Sequence, residues 1–381
     1  MTKQRIHLAE LTSTRFLAAF AVLLGHFKEL LSLPPFVADL VGGGHNVSFF
    51  FALSGFILCY RYWDTFAEGV TAPGLRLYFV SRVGRIYPSY ALALVLLTGL
   101  YLIANALRPG TVTYPPNPVT SWLVNLLALQ TYAPSIATQQ YWNAPGWSIS
   151  TELSFYVIFP VVLAWIARHC NGRASLLWLL GLTTALGILA QGATLILVYR
   201  YGWSREFWLD IVASRNIFWR MQQFMIGVVA ARLLYGGYLA ALSRPAVRNA
   251  VLLGGLAVTA AMNLAPWPEG NVAPVIMRQF RLEVAYMFPF AAIIVALAAG
   301  NTFLSGFLQR PFLVLLGNAS FAVYIFHWIP WIMLMHAKHR GWDPHPLLVT
   351  VVILLTILFS IASYLWYEKP ARMYFRRKFA Q

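Results

Sequence analysis

The sequence is poor in charged residues, which make up 10% of its 381 positions. Water-soluble domains carry roughly 25% charged residues, so the composition excludes a soluble globular protein. Acidic side chains are the scarcest, with 12 Asp and Glu against 28 Lys and Arg. Because ionisable groups are costly in lipid, a carboxylate that falls inside an apolar segment is a candidate for a specific task.

Cysteine is nearly absent. Cys59 and Cys170 both fall near the ends of apolar segments, on the side that we predict to be cytoplasmic, where a disulfide is not expected. Neither has a partner at the spacing of a CxxC motif. The sequence therefore predicts no disulfide framework and no metal site.

Apolar residues are abundant: 59% of the positions are hydrophobic, and the mean hydropathy is +0.64. They gather into runs of about 20 residues, which as helices are long enough to cross a hydrocarbon core of about 30 Å. We therefore predict an all-α, polytopic membrane protein with about ten transmembrane helices, forming a single domain over residues 1–381 with no appended soluble domain. The predicted spans are 11–31, 47–60, 86–106, 149–167, 175–199, 217–235, 250–265, 284–299, 312–336 and 347–367.

Three segments depart from a plain span. The first span is too long for the apolar part of a secretory signal and lacks a cleavage site, so we expect it to be retained. The second is short, follows the glycine run 42–44 and contains Ser54-Gly55, so we expect an irregular or re-entrant segment. Residues 107–148 are rich in Pro, Asn, Gln, Tyr and Trp. Such a segment suits sugar binding, but aromatic residues also mark the membrane interface.

The net charge of +16 does not indicate nucleic acid. The basic residues flank apolar spans rather than forming a soluble basic face, so we exclude nucleic acid as a partner. Ten spans place both termini on one side, and the larger share of Lys and Arg falls on that side. The positive-inside rule then predicts cytoplasmic termini. The terminal Arg376-Arg377-Lys378 run agrees, because anionic lipid of the inner leaflet attracts it.

Arg15 and His26 carry charge at the two ends of one apolar segment, RFLAAFAVLLGH. Their separation of 11 positions is three helical turns plus about 20°, so both project from one face, about 16 Å apart along the axis. His26 then lies past the middle of the membrane, where an ionisable group is expensive unless it faces a polar cavity. A histidine hydrogen-bonded to a neighbouring helix is the alternative, but the arginine on the same face favours a functional role.

Glu152 lies inside the start of an apolar run, whereas the other acidic residues fall in loops or near span ends. We expect it in the outer half of the membrane, at a depth where it meets His26. A carboxylate beside an imidazole fixes the tautomer and raises its basicity, as a general base requires. The alternative is a helix-capping role, since acidic residues are favoured in a first turn.

Arg82 and Arg85 are three positions apart and share a helix face just before the third span. Guanidinium forks match phosphate oxygens, but anchoring to lipid phosphate is an equally simple explanation. Arg61 and Arg76 in the same predicted loop fit either role.

Two further features allow a structural and a functional reading. Small residues around Ser54 and Gly55 favour close helix packing, or they leave room for a thin, extended ligand. His327 lies among aromatic residues in the ninth span. It fits a core histidine with one hydrogen bond, or part of a substrate path.

These motifs, taken in order, resemble those of acyltransferase family 3, a family of integral-membrane acyltransferases. The matching segments are LTSTRF followed by His26, FFFALSGF, SRVGRIYP, WSISTE, LGNASFAVYIFH and YEKPAR. The variant Thr12-Ser13-Thr14 resembles exopolysaccharide-modifying members, and Ser81 stands where many members have an arginine. We see no esterase-like domain of the sort fused to some members. We therefore expect direct transfer or transfer to a separate partner protein.

The resemblance implies transfer of an acyl group, usually acetyl, from cytoplasmic acyl-CoA to a hydroxyl of a cell-surface or exported polysaccharide or its lipid-linked precursor. It implies acetyl-CoA as the co-substrate, no metal, and a multi-pass location in the bacterial inner membrane. Membrane lipid and polysaccharide-assembly proteins are the expected partners.

The resemblance and the residue patterns together divide the expected site into three groups. His26 and Glu152 form the catalytic pair, with His26 acting as a general base or carrying the acyl group itself. Trp147, Ser148 and His327 are expected to meet the acceptor. The residues expected to bind the donor are Arg15, Ser54, Arg61, Arg82, Arg85 and Tyr87.

Two other classes of protein share some of these features. A proton-coupled transporter of a small solute would use His26 and Glu152 as a proton relay. The missing internal repeat and the cytoplasmic arginine pair weigh against it. A structural partner in a polysaccharide-assembly machine would tolerate the loss of His26.

Overall fold

The computed structural model describes residues 8–41, 45–133, 135–202, 215–266, 277, 278 and 280–379. Within these ranges the chain is helical and contains no strand. Ten long helices coincide with the ten predicted spans. They are α1 (Ala9–Phe27), α2 (His45–Phe66), α3 (Ala72–Leu107), α4 (Trp147–His169), α5 (Arg173–Tyr201), α6 (Ile217–Tyr235), α7 (Pro245–Leu264), α8 (Met287–Ala298), α9 (Pro311–Phe326) and α10 (Pro346–Ser363).

Shorter helices complete the described chain. Pro35–Val41 precedes α2, Trp328–His339 continues α9, and Lys369–Phe379 follows α10. Two turns of π-helix, Arg281–Ala285 and Tyr364–Glu368, lead into α8 and into the last helix.

Eight helical segments of the described chain are long and apolar enough to cross a membrane. The helices α1 and α6 are not among them, although both coincide with predicted spans. Both are central: α1 packs along α9, and α6 packs along α2. A helix surrounded by other helices can carry polar side chains, because these meet protein instead of hydrocarbon. The prediction of an all-α, polytopic membrane protein is confirmed.

The prediction of an irregular second span at 47–60 is wrong, because α2 is a continuous helix of 22 residues. Gly55 faces α6, where a side chain would overlap the carbonyl oxygen of Phe224. Gly227 of α6 lies equally close to the carbonyl oxygen of Ala52. Close packing of the two backbones therefore explains these glycines. The glycine run 42–44 lies outside the described residues.

A similar contact joins α1 to α9. A side chain at Gly317 would overlap the carbonyl oxygen of Thr12, so the two backbones touch there. The chain passes from α9 into Trp328–His339 through His327, without leaving the helical region of backbone conformation. The pair α1 and α9 therefore forms a fixed frame around His26 and His327.

Arg82 and Arg85 lie on one helix, as their spacing predicts, and this helix begins well before the predicted third span. The helix α3 runs unbroken over 36 residues, which is about 54 Å at 1.5 Å per residue. Its first turn is capped by Thr71, whose side chain accepts a hydrogen bond from the backbone N–H of Gly74 at 3.3 Å. The two arginines are therefore carried into the protein on the third and fourth turns of a rigid element.

The described residues between α3 and α4 fold back along α3. Tyr90 donates its hydroxyl to the carbonyl oxygen of Asn125 at 2.5 Å, and Tyr101 donates to the carbonyl oxygen of Tyr141 at 3.3 Å. Trp142 is buried, so the aromatic residues of this segment include ones that pack inside the protein. The segment built from them consists of the helices Pro118–Leu126 and Ile136–Gln140 and the single turns Gln130–Tyr132 and Ala144–Gly146.

This re-entrant segment, described over residues 108–133 and 135–146, makes α4 begin deep in the protein. A Cβ on Gly146 would lie 3.1 Å from the ring of Tyr90. Tyr90 is about 26 Å along the axis of α3 from Leu107, at 1.5 Å per residue. Glu152 lies in the second turn of α4, so it too lies well inside the protein.

Candidate functional site

A cavity of about 70 Å³ lies between α1, α2, α3, α4 and α9. Arg15 lines it from α1, Arg82 and Arg85 from α3, and Glu152 from α4. We call it the arginine cavity. Its other polar lining residues are Ser54, Ser148, Tyr156, Ser320 and Tyr324. The sequence did not single out the last three of these.

Arg82 is the most deeply buried of the three arginines, with 4% of its surface exposed. Its guanidinium carbon lies 5.5 Å from the ring centre of Tyr62 and 6.0 Å from that of Tyr156. Aromatic faces attract a cation, and the Tyr62 side chain also lies within hydrogen-bonding range of the guanidinium. Among the described residues, the buried Nε of Arg82 has no hydrogen-bond partner. A side chain buried in this way is not placed to anchor the protein to lipid phosphate.

The arginine cavity has an excess of positive charge. Glu152 is its carboxylate, and Oε1 accepts hydrogen bonds from Ser54 at 2.9 Å and Tyr156 at 2.6 Å. In the described part of the chain, no ion pair within 4 Å joins a carboxylate to any of the three arginines. Cations held away from water without counter-charges are unfavourable. The cavity is therefore suited to an anionic ligand.

His26 and His327 form a second polar group beside the cavity. Nδ1 of His26 lies 3.1 Å from Nε2 of His327 and 3.1 Å from the carbonyl oxygen of Val22. The indole N–H of Trp331 donates to the carbonyl oxygen of His26 at 2.8 Å. The ring of Trp328 lies edge-on to the His26 ring, with the centroids 5.6 Å apart. We call His26 and His327 the histidine pair.

The hydrogen bonds of the histidine pair favour one tautomer. A carbonyl oxygen only accepts, so the contact with Val22 requires the proton of His26 on Nδ1 and leaves a lone pair on Nε2. His327 then accepts at Nε2 and carries its own proton on Nδ1. That Nδ1 is buried without a partner among the described residues. The pair thus holds one imidazole with a free basic nitrogen.

The predicted hydrogen-bonded dyad of His26 and Glu152 is wrong. In the described chain the Glu152 carboxylate is bonded to Ser54 and Tyr156, and the His26 ring to Val22 and His327. The re-entrant segment explains the difference, because it starts α4 deep beside α3. Glu152 consequently faces the arginines, and a histidine takes the place beside His26.

Tyr324 separates the arginine cavity from the histidine pair. Its hydroxyl lies 2.8 Å from Oγ of Ser148 and donates to the carbonyl oxygen of Pro145 at 3.1 Å. Its ring centroid is 6.0 Å from that of His327. Because Tyr324 and Ser148 both line the cavity, the histidine pair lies about one side chain beyond the cavity wall.

The model of the family described as the acyltransferase domain, acyltransferase family 3, matches residues 8–365 of the chain. The chain belongs to this family.

Two curated proteins resemble this acyltransferase. Acyltransferase MdmB of Streptomyces mycarofaciens is 29% identical over 361 residues, which is 89% of this chain and 82% of the relative. Protein 2 in picA locus of Rhizobium radiobacter is 29% identical over 168 residues, which is 42% of this chain and 82% of the relative. No solved structure matches the chain. The resemblance seen in the motifs is confirmed, and the protein is a multi-pass membrane acyltransferase.

Other residues of the acyltransferase that we predicted for the site lie outside the cavity lining. The Tyr87 hydroxyl donates to the carbonyl oxygen of Leu126 at 2.9 Å, so it holds the re-entrant segment. Arg61 is exposed near the end of α2. Trp147 lies beneath the guanidinium groups of Arg215 and Arg220, whose carbons are 5.7 and 5.3 Å from its ring centre.

The acyltransferase also contains a buried ion pair that we did not predict. Arg220 lies 2.6 Å from the carboxylate of Glu283, and both side chains are almost fully buried. The side-chain amide of Gln223 donates to the same carboxylate at 3.1 Å. We had grouped Glu283 with the acidic residues that fall in loops or near span ends, and Arg220 falls at the start of the predicted span 217–235. The pair Gln222-Gln223 near an arginine in an apolar segment was the signal that this segment is surrounded by protein.

Proposed function

We propose that this acyltransferase transfers an acetyl group from acetyl-CoA to a hydroxyl of a cell-surface or exported polysaccharide, or of its lipid-linked precursor. The excess positive charge of the arginine cavity is the observation that carries this proposal. An acyl-CoA is strongly anionic through its phosphates, and guanidinium groups bind phosphate with paired, charge-assisted hydrogen bonds. The acetyl group and the glycan acceptor rest on the motif resemblance.

The donor would enter with its phosphates at Arg82 and Arg85. The free Nε–H of Arg82 offers a hydrogen-bond donor that a phosphate oxygen would satisfy. The pantetheine arm would then pass Ser54 toward Tyr324. Its extended length, roughly 15–20 Å, matches the separation of about 16 Å between Arg15 and His26 along α1. This would bring the thioester close to the histidine pair.

His26 would act through the lone pair on Nε2. It takes the proton of the acceptor hydroxyl as the oxygen attacks the thioester carbonyl. The new C–O bond forms, the C–S bond breaks, and the proton passes from His26 to the departing thiolate of CoA. His327 holds the ring in the reactive tautomer. A second route forms an acyl group on Nε2 first and then transfers it to the hydroxyl.

Purified protein in lipid nanodiscs, incubated with acetyl-CoA labelled in the acetyl group and with membranes that lack the protein, tests this proposal. Label should enter the polysaccharide or lipid-linked fraction, and free CoA should appear in equal amount. His26→Ala should lower the rate about 10²–10⁴-fold, the range for losing a general base. His169→Ala removes an exposed histidine and is the matched control.

Three outcomes contradict the proposal or refine it. Wild-type rates in His26→Ala would remove His26 from the chemistry. Label that stays on the wild-type protein after acid quenching, and is absent from the variant, would select the acyl-histidine route over direct transfer. A wild-type protein that neither binds acetyl-CoA nor releases CoA would overturn the choice of donor.

A further inference from the structure

The helix Lys369–Phe379 packs against the part of α3 that carries the arginine pair. Oγ of Ser89 donates to the carboxylate of Glu368 at 3.1 Å, just before that helix begins. A Cβ on Gly84 would lie 3.2 Å from Cβ of Phe375. Residue numbers therefore fall along α3 as they rise along the last helix, and the two helices are antiparallel.

A third contact extends this alignment. Nε of Arg76 donates to the carbonyl oxygen of Phe379 at 2.7 Å. Arg372 lies between Glu368 and Phe375 in sequence, so the alignment puts it opposite the stretch of α3 between Ser89 and Gly84. Arg85 lies in that stretch. The last helix thus brings Arg372 to the level of the arginine pair.

The basic residues of the last helix lie on two different sides. At 100° per residue, Arg376 is about 40° from Arg372, whereas Arg377 is about 140° from it. Arg372 is half-buried, whereas Arg376 and Arg377 are both exposed. Arg372 and Arg376 therefore share the side that packs on α3, and Arg377 points away from it.

The fold gathers like charges at this end of the protein. Arg372 is within electrostatic range of Arg85, Arg82 and Arg61, and Arg376 is within range of Arg61. Like charges in a medium of reduced dielectric repel each other. The carboxylate of Glu368 is present there and accepts from Ser89, but one carboxylate does not balance five guanidinium groups. A group of this kind is stable when a multiply charged anion binds it.

We propose that the last helix is part of the donor site, and that Arg372, with Arg376 beside it, binds a phosphate of acyl-CoA together with Arg85. This inference rests on the proposed function. CoA carries a diphosphate and a separate ribose phosphate, and the two arginines of α3 do not match that total charge. The arginines of the last helix supply the missing cations, and the ribose phosphate is the group assigned to them.

Phosphate at this place has two sources, the donor and anionic lipid headgroups. Arg377 and Lys378 are exposed and suit lipid headgroups. Arg372 is on the side of the last helix that packs on α3 and lies within electrostatic range of Arg85 and Arg82, which is why we assign it to the donor. The experiment therefore varies the donor phosphate and the lipid charge separately.

Acetyl transfer is measured for the wild type, Arg372→Ala, Arg372→Lys and Arg377→Ala, with acetyl-CoA and with acetyl-3′-dephospho-CoA. Each protein is assayed in nanodiscs of phosphatidylcholine alone and with phosphatidylglycerol added. Arg372→Ala should raise KM for acetyl-CoA at least about tenfold, the effect of losing a hydrogen bond to a charged group, with little change in kcat. It should leave KM for the dephospho donor nearly unchanged, and Arg372→Lys should lie between.

Arg377→Ala removes the same charge from the same helix and should leave both KM values unchanged. Inhibition by adenosine 3′,5′-bisphosphate, which carries the phosphates without the acyl arm, should weaken in Arg372→Ala and not in Arg377→Ala. Elution as a monodisperse species and an unchanged melting temperature identify variants that remain folded, and Arg372→Lys keeps the charge if the alanine variant does not fold.

Three results would overturn the inference. An unchanged KM in Arg372→Ala, with a wild type that uses acetyl-CoA, removes Arg372 from the donor site and leaves the proposed function intact. Equal losses for both donors that depend on phosphatidylglycerol assign Arg372 to lipid. A wild type that does not use acetyl-CoA at all overturns the proposed function, and this inference with it.

Discussion

Arg82 and Arg220 are both 4% exposed and both lie within long helices, yet their surroundings are opposite. Arg220 has a carboxylate at 2.6 Å, and that carboxylate is held by Gln223. Arg82 lies against the faces of two tyrosines, and its Nε has no partner in the described chain. A buried charge needs a counter-charge. Arg220 has one in the folded protein, whereas under the proposed function Arg82 would gain one from the phosphates of the donor.

The comparison distinguishes an arginine that stabilises the fold, Arg220, from one that is available to a ligand, Arg82. Sequence alone shows two arginines at the edges of apolar segments and gives no reason to treat them differently. Their partners differ in kind: a carboxylate for Arg220, aromatic rings and an open cavity for Arg82. We therefore expect disruption of the Arg220–Glu283 pair to lower stability, and replacement of Arg82 to weaken donor binding.

The largest effect is expected from Glu283→Ala, which leaves Arg220 buried without its carboxylate. Removing one partner of a buried pair costs about 3–5 kcal/mol, so we expect a much lower yield of folded protein and a lower melting temperature in nanodiscs. Glu68→Ala, which removes an exposed acid, is the control. Adding Arg220→Met to Glu283→Leu should recover most of the stability, since an apolar replacement of both partners is often neutral. A Glu283→Ala protein as stable as the wild type would contradict the structural role of the Arg220–Glu283 pair.

Arg82→Ala should produce the opposite result. The free energy of unfolding should change little, because the substitution removes a buried cation that lacks a counter-charge. KM for acetyl-CoA should rise about 10–100-fold, as expected for losing one or two hydrogen bonds to a charged phosphate. Melting curves and initial rates on the same preparation measure both quantities. Strong destabilisation with an unchanged KM would make Arg82 another structural arginine.

Glu152→Gln should have the smallest effect and an unusual direction. The amide oxygen can still accept from Ser54 and Tyr156, but the negative charge of the arginine cavity is lost. Repulsion of donor phosphates then falls, so KM for acetyl-CoA should decrease a few-fold, roughly 1 kcal/mol or less for a partly screened charge. A large loss of kcat with constant KM would instead support a catalytic role for Glu152 and contradict its assignment to the cavity's charge balance.

The helical part of the fold could be predicted because it depends on local composition. Runs of about 20 apolar residues locate all ten long helices, and helical spacing puts Arg15 and His26 on one face of α1. Even there, the short apolar run at 47–60 was misleading. Gly55 reflects contact with α6 rather than an irregular backbone, and only the partner helix shows this.

The candidate site was less predictable because it depends on how deep inside the protein each helix begins. The polar composition of residues 108–146 indicates a loop, but Tyr90 and Tyr101 hold this segment against α3. Because of that packing, α4 begins deep beside α3, and Glu152 lies beside the arginines instead of beside His26 as predicted. Contacts between residues distant in sequence decide such a shift, and one sequence contains no record of them. The partner of His26, His327, was recognised as a candidate but not as that partner.

The backbone contacts at Gly55, Gly227 and Gly317 also limit how the protein can move. They lock α1 to α9 and α2 to α6, and interiors packed so tightly resist sliding. The rocking of helix bundles that exposes a transporter site first on one side and then on the other would have to separate these contacts. Rotation of a single side chain, such as Tyr324 between the arginine cavity and the histidine pair, needs no such separation. We therefore expect any opening between the arginine cavity and the histidine pair to come from rotation of the Tyr324 side chain, with the packed helices staying in place.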